Sequence, residues 1–209
     1  MKKLLSYGDS IAFGYKDALK EYVSHKYTFF TKEGMREAAQ NLNIPKGTNC
    51  GDSRMMLRHI REEVEQGRFQ FDVVVFNCGK HDIKVNLKTG QRQISPEEYQ
   101  KNMREITALI QKHSKKTFYV NCTKVYDDIH NTPENIELNF GIARYDKDMR
   151  LCNEQAEEIM KEAGIPVIDL YDLSEKWGEK ALKDHVHYHS AYAELQAAYI
   201  AGAVLTMDK

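Results

Sequence analysis

Glycine and proline are scarce, at 12 and 4 residues in a chain of 209, where average usage would supply roughly 25 between them. Collagen-like, linker-rich and low-complexity architectures are thereby excluded. Long hydrophobic runs are missing too. The longest, Ala197 to Leu205, holds nine residues, against the ~20 that a membrane-spanning helix needs, and mean hydropathy is −0.62. Neither sign of charge dominates: 30 Lys and Arg face 31 Asp and Glu, for a formal net charge of −1. So balanced a chain has no global basic field with which to release counterions from a nucleic-acid backbone, and it suits a neutral substrate better than a phosphorylated one. The phosphate-cradling patterns G-x-x-x-x-G-K-[ST] and G-x-G-x-x-G are also absent.

Cysteine is limited to Cys50, Cys78, Cys122 and Cys152, far apart and without a C-x-x-C pair. That spacing is neither a zinc ligand set nor a secreted disulfide framework, and free thiols in a reducing compartment are the simpler expectation. Met1-Lys2-Lys3-Leu4-Leu5 begins like a secretion signal, but Ser6-Tyr7-Gly8-Asp9 ends the apolar part at once, short of the ~7–15 residues that such a segment requires. A cytoplasmic protein is expected. A chain of this length can bury roughly 70% of its unfolded surface without disulfides or metal. With no internal repeat and no compositional boundary, one domain over residues 1–209 is expected.

What is present is an alternation of short apolar runs with longer segments of helical period, the pattern of an α/β domain with a parallel sheet. Lys3–Tyr7, Phe71–Asn77, Thr117–Cys122 and Pro166–Leu170 are the expected strands, since strands buried on both faces read as continuous apolar runs. A further strand is expected before Gly47, where Asn43-Ile44-Pro45-Lys46 is a poor candidate. Ser95-Pro96-Glu97-Glu98 is a capping box with proline at the first helical position. Tyr99, Met103, Ile106 and Ile110 then mark one helical face. Helices are also expected from about Met55 to Gln66, Asp146 to Ala163 and Ala191 to Val204. Val125 to Tyr145 shows no period and reads as a long loop, a kind of segment that is often functional.

In open α/β sheets, ligands bind beyond the carboxyl ends of the strands. After the first expected strand comes Gly8-Asp9-Ser10-Ile11-Ala12-Phe13-Gly14, which places a serine where a nucleophile can stand. The same residues also make an ordinary turn. Gly51-Asp52-Ser53 precedes a helix, so Asp52 or Ser53 is an N-cap and the Gly51 region a ready anion site. Asn77-Cys78-Gly79-Lys80-His81-Asp82 follows another strand and offers an imidazole beside a carboxylate. Lys80 has no assignable role there and reads as solvated. Near the C-terminus, Asp184-His185-Val186-His187-Tyr188-His189 has three alternating histidines, a metal-like pattern. It equally provides one carboxylate, Asp184, to orient one imidazole, His187, with His185 and His189 as exposed polar residues.

In combination these segments resemble the SGNH hydrolases, or GDSL esterase/lipase superfamily. The first block is similar to Gly8–Gly14, the second to Asn49–Ser53, the third (usually G-x-N-D) to Gly79-Lys80-His81-Asp82, and the last, D-x-x-H, to Asp184–His187. The resemblance implies a three-layer α/β/α fold with a flavodoxin-like, parallel five-stranded sheet. It implies Ser10 as nucleophile, His187 as base and Asp184 as its orienting carboxylate. The oxyanion donors would be the Ser10 and Gly51 backbone N–H groups and the side chain at position 81, with Asp9 and Asp82 in support. Two departures stand out. His81 replaces the usual asparagine, and is expected to donate as a neutral ring whose tautomer Asp82 fixes, unless Asp82 only ties down the loop. His189 and Tyr192 replace smaller residues near the final helix, where Ser190 is expected to take over capping.

The resemblance therefore implies a serine esterase acting through an acyl-enzyme on short, acetyl-type esters, with O-acetylated carbohydrate as a substrate class. A lysophospholipase or thioesterase, and a non-catalytic binding protein on the same fold, are the alternatives. Neither metal nor cofactor is expected. A small-molecule ester is the expected partner, with no nucleic acid and no membrane.

Overall fold

The computed structural model describes residues 1–208. In the first half of the chain β1 (Lys2–Tyr7) leads into α1 (Ser10–Val23), then β2 (Tyr27–Thr31), α2 (Met35–Gln40), α3 (Ser53–Glu65), β3 (Phe71–Phe76), the two-residue β4 (Val85–Asn86) and α4 (Pro96–His113). There follow β5 (Ser114–Val120), the short α5 (Asp127–His130) and α6 (Pro133–Leu138), β6 (Ile142–Ala143), α7 (Asp146–Glu162), β7 (Val167–Ile168), α8 (Leu170–Trp177), one 3₁₀ turn at Glu179–Ala181 and α9 (Ser190–Met207). None of the described helices is long and apolar enough to cross a membrane.

The central sheet has the order β2-β1-β3-β5-β7 and every pairing in it is parallel. Side-chain alternation divides each strand between two cores. Leu5, Tyr7, Val74, Phe76 and Tyr119 face α3, α4 and α7 with Met56, Ile60, Met103, Ile106 and Met160. Leu4, Val73, Val75, Phe118 and Val120 face α1 and α9 with Tyr15, Leu19, Ala197 and Ile200. The result is a three-layer α/β/α fold. Because β2 lies on one side of β1 and β3 on the other, the direction in which strands are added to the sheet reverses between β1 and β3. A crevice opens at such a switch point, beyond the strands' carboxyl ends.

Two expectations fail here. The further strand is Tyr27–Thr31 rather than residues 43–46, which form an irregular loop. β2 lies at the sheet edge and alternates buried Tyr27 with exposed Thr28 and Phe30, so it never becomes the continuous apolar run that marks an interior strand. Residues 125–145 are also structured. Thr132 caps α6 by accepting from the Asn135 N–H, with Pro133 at the first helical position, and β6 pairs antiparallel with β4. These elements are too short to display a period, although the T-P-E-N capping signal was there to read. All four cysteines are free and buried.

Candidate active site

Ser10 opens α1 two residues beyond the Gly8 turn at the end of β1, and it is 5% exposed. Asp9 is the N-cap: its Oδ1 accepts the Ile11 N–H at 2.8 Å, a bond worth about 1 kcal/mol to a helix. The cap turns the chain so that Ser10 stands at the partially positive helix terminus. Asn77, just past β3, accepts the Asp9 N–H on its Oδ1 at 3.4 Å. A Cβ at Gly8 would come within 2.8 Å of Ala12 Cβ and 3.0 Å of Asn77 Oδ1, so only glycine lets the two strand ends approach this closely.

The final block closes on itself before it meets Ser10. Asp184 Oδ1 accepts the backbone N–H groups of Val186 at 2.9 Å and His187 at 2.7 Å. The His187 ring lies with Nδ1 2.9 Å from Asp184 Oδ2 and Nε2 2.9 Å from Ser10 Oγ. With Nδ1–H donated to the carboxylate, the lone pair of Nε2 faces the serine hydroxyl, which donates to it. Burial pushes the Asp184 carboxyl up, but the hydrogen bonds from the His187 ring and backbone outweigh it and hold the group below the usual range. His187 is 5% exposed, while the far side of Asp184 meets solvent.

The three expected oxyanion donors differ in state. The Ser10 N–H makes no hydrogen bond to the described residues. The Gly51 N–H is held by Asn49 Oδ1 at 3.1 Å, so it is available only if shared with that amide. His81 is 4% exposed, and burial, with Lys84 and Arg144 nearby, holds its ring neutral. Asp82 does not reach the His81 ring. Its two oxygens accept the Ser53 N–H at 3.0 and 3.1 Å, so it ties the third block to the start of α3, and burial pushes its carboxyl up to about 7. The cap of α3 is Asp52, whose Oδ1 accepts the Met55 N–H at 2.9 Å.

Lys80 is the largest correction to the sequence reading. It is 3% exposed; its ammonium donates to the Thr123 carbonyl, to Thr123 Oγ1 at 2.9 Å and to the Lys124 carbonyl at 3.2 Å. Burial lowers its pKa to about 8. Arg144, also buried, donates from Nε to the Lys80 carbonyl at 2.9 Å and from Nη1 to His130 Nε2 at 2.5 Å. His130 is therefore the Nδ1–H tautomer, donating to Asn131 Oδ1 at 3.1 Å. These cations lie near the buried Asp9, whose Oδ2 has no hydrogen-bond partner. The backbone that carries His81 is thus clamped from both sides. Sequence reasoning missed this clamp because no motif distinguishes a buried cation from a solvated one.

The C-terminal histidines go separate ways. His187 meets Ser10, whereas His185 is 7% exposed, lies 3.2 Å from Asn139 Nδ2 and packs edge-on against His130. Only His189 is exposed, and it occupies the N-cap position of α9 without a side-chain bond. Ser190 is the first helical residue and caps nothing. No cluster of three metal-ligating side chains exists among the described residues. Beside Ser10 and His187 is a cleft of about 30 Å³ bounded by Ile11, Gly14, Leu42, Tyr188, Ala193 and Gln196.

A family model, GDSL-like Lipase/Acylhydrolase, matches residues 6–194. Sequence comparison with curated proteins returns no match. Among solved structures, the chain is similar to a lipase/acylhydrolase from Enterococcus faecalis, with a TM-score of 0.72 at 18% identity, covering 98% of this chain and 95% of that one. It is similar to the acetyl xylan esterase AlAXEase, with a TM-score of 0.68 at 17% identity over 97% and 99% of the two chains. A GDSL-like lipase from Bacteroides thetaiotaomicron aligns with a TM-score of 0.66 at 18% identity, over 98% and 88%. The fold, the four sequence blocks and the match over residues 6–194 agree: the chain belongs to the GDSL-like lipase/acylhydrolase family, the SGNH hydrolases, and is a carboxylic ester hydrolase.

Proposed function

We propose that the protein is a serine esterase that removes short, acetyl-type acyl groups through an acyl-enzyme on Ser10. The observation that carries this reading is the contact series Asp184–His187–Ser10, with 2.9 Å at each of its two links. His187 takes the Ser10 proton as Oγ attacks the ester carbonyl, and Asp184 stabilises the imidazolium that forms. Collapse of the tetrahedral intermediate returns that proton to the departing alcohol, and water then repeats the sequence to release the acid. The Ser10 N–H and the His81 ring donate to the developing oxyanion, joined by Gly51 N–H when it is shared with Asn49.

The small cleft supports a short acyl group. The cleft beside the nucleophile, about 30 Å³, has room for about two water-sized groups and so suits an acetyl group better than an octanoyl chain. The acetyl xylan esterase among the similar structures points to O-acetylated carbohydrate as the substrate class.

Labelling with a fluorophosphonate tests the chemistry: one adduct is expected, on the peptide that contains Ser10. An unlabelled, folded enzyme would favour a binding protein instead. p-Nitrophenyl esters of increasing chain length test the acyl preference, with kcat/KM expected to fall from acetate to octanoate. A rise along the series would point to the thioesterase or lysophospholipase alternative.

His81 gives a separate expectation. His81→Ala removes a preorganised donor and should lower kcat by ~10²-fold or more, whereas His81→Asn supplies an amide donor and should retain appreciable activity. Full activity in the alanine variant would remove His81 from the oxyanion site.

A further inference from the structure

A second cavity, of about 340 Å³, adjoins the site on the side of the second and third blocks. One stretch of chain borders both: Leu42 lines the catalytic cleft, and its neighbours Asn41, Asn43, Ile44 and Pro45 line the cavity. Pro45 also packs so closely on Gly51 that a Cβ there would approach it to 2.9 Å. On the far wall, Asn139 reaches His185, two residues from His187, at 3.2 Å.

The lining has an unusual composition. Four asparagines (Asn41, Asn43, Asn86, Asn139) and one lysine, Lys84, stand among apolar groups that include Leu138 and Phe140. No Asp or Glu lines it. Leu138 and Phe140, 70% and 83% exposed, form an apolar rim. Lys84 is half-buried and pairs with no carboxylate among the described residues, whereas the buried Lys80 spends its ammonium on three protein oxygens. Burial, and Arg144 after it, lower the Lys84 pKa to about 8, against the pull of the nearby Asp52, Asp82 and Asp9 carboxylates, so at neutral pH the cavity wall holds a mostly charged ammonium with no direct ion-pair partner.

We propose that this cavity is the subsite for the alcohol half of the ester and that Lys84 selects an alcohol bearing a carboxylate on a hydroxylated ring, such as an acetylated sugar acid. The proposal rests on the reading of Ser10 as nucleophile and of the small cleft as the acyl site. With a short acyl group in that cleft, the larger adjoining cavity receives the rest of the substrate. The asparagine amides suit ring hydroxyls, because each offers both donors and an acceptor. The apolar rim suits the C–H face of a sugar ring, and one ammonium matches one carboxylate rather than a doubly charged phosphate.

The test compares mono-acetyl esters of glucuronate and of glucose, matched in the position of the acetyl group. Wild-type enzyme should hydrolyse the glucuronate ester with a kcat/KM at least ~10-fold higher, the difference lying in KM and shrinking as salt rises. Lys84→Met should erase that preference and Lys84→Arg should keep most of it. Binding of free glucuronate and free glucose to the Ser10→Ala variant gives a readout independent of turnover, and there glucuronate should bind at least ~10-fold more tightly. Equal binding of the two sugars, equal hydrolysis of the two esters, or a preference that survives Lys84→Met would overturn the proposal. Selective, Lys84-dependent binding of glucuronate by a folded enzyme that a fluorophosphonate fails to label would overturn the reading of Ser10 as nucleophile and leave the Lys84 subsite standing.

Discussion

Replacing Ser10 by alanine is expected to lower kcat/KM for p-nitrophenyl acetate by ~10⁴- to 10⁶-fold, read by steady-state kinetics on protein whose melting temperature moves only slightly. The substitution removes one oxygen whose only side-chain hydrogen bond among the described residues is with His187 Nε2, at 2.9 Å. Neither the Asp9 cap nor the Asn77 brace on the Gly8 turn depends on that oxygen. What disappears is the attacking atom, so the covalent route is closed. The oxyanion donors remain, and the residue of activity over water measures their contribution. An alanine variant within tenfold of wild type would show that the acyl group passes directly to water, with His187 as base and Ser10 as a bystander.

Asp184→Asn should cost nearly as much, ~10⁴-fold in kcat, for a different reason. The carboxylate now accepts the His187 Nδ1–H as well as two backbone N–H groups. An asparagine amide turned to keep the backbone bonds presents its NH₂ to Nδ1. The ring must then carry its proton on Nε2, where the lone pair that accepts from Ser10 is needed. Geometry would be conserved and basicity lost, so fluorophosphonate labelling should slow in step with kcat. The same carboxylate sets a stability expectation. Its folded-state pKa lies below the ordinary value, so the folded protein gains stability above about pH 4 that is lost as pH falls through the folded pKa. Thermal melts from pH 6 downward should show a smaller acid-side loss in Asp184→Asn than in wild type. An equal loss would place the acid sensitivity in other carboxylates.

The parts of this molecule that were readable in the chain share a physical character. β1, β3 and β5 are buried on both faces, so their residues had to be apolar in succession, and a run such as Val73-Val74-Val75 advertises itself. α4 carries a capping box and a full apolar stripe, and it forms over Pro96–His113. β2 was hidden because an edge strand needs only half its side chains inside. α1 was hidden because its first turn is spent on turn-forming residues and Gly14. For the site, turn chemistry alone left Ser10 balanced between a nucleophile and an ordinary loop residue. The joint spacing of four blocks, known from a family resemblance, separated the two. Lys80, His130 and Arg144 lay beyond that reach, since their burial depends on carbonyls of Thr123 and Lys124 and on one another.

Ser10 and His187 are 177 residues apart in the chain, and this has a consequence on the ribosome. At roughly 5–20 residues per second, the nucleophile waits on the order of 10–35 s of translation before its base is even synthesised. α9, which follows His187 and packs along α1, is made later still. Every nascent chain that stops short of His187 carries Ser10 without the imidazole that activates it. Hydrolytic competence therefore cannot precede the synthesis of His187, however early β1 and α1 form around Ser10.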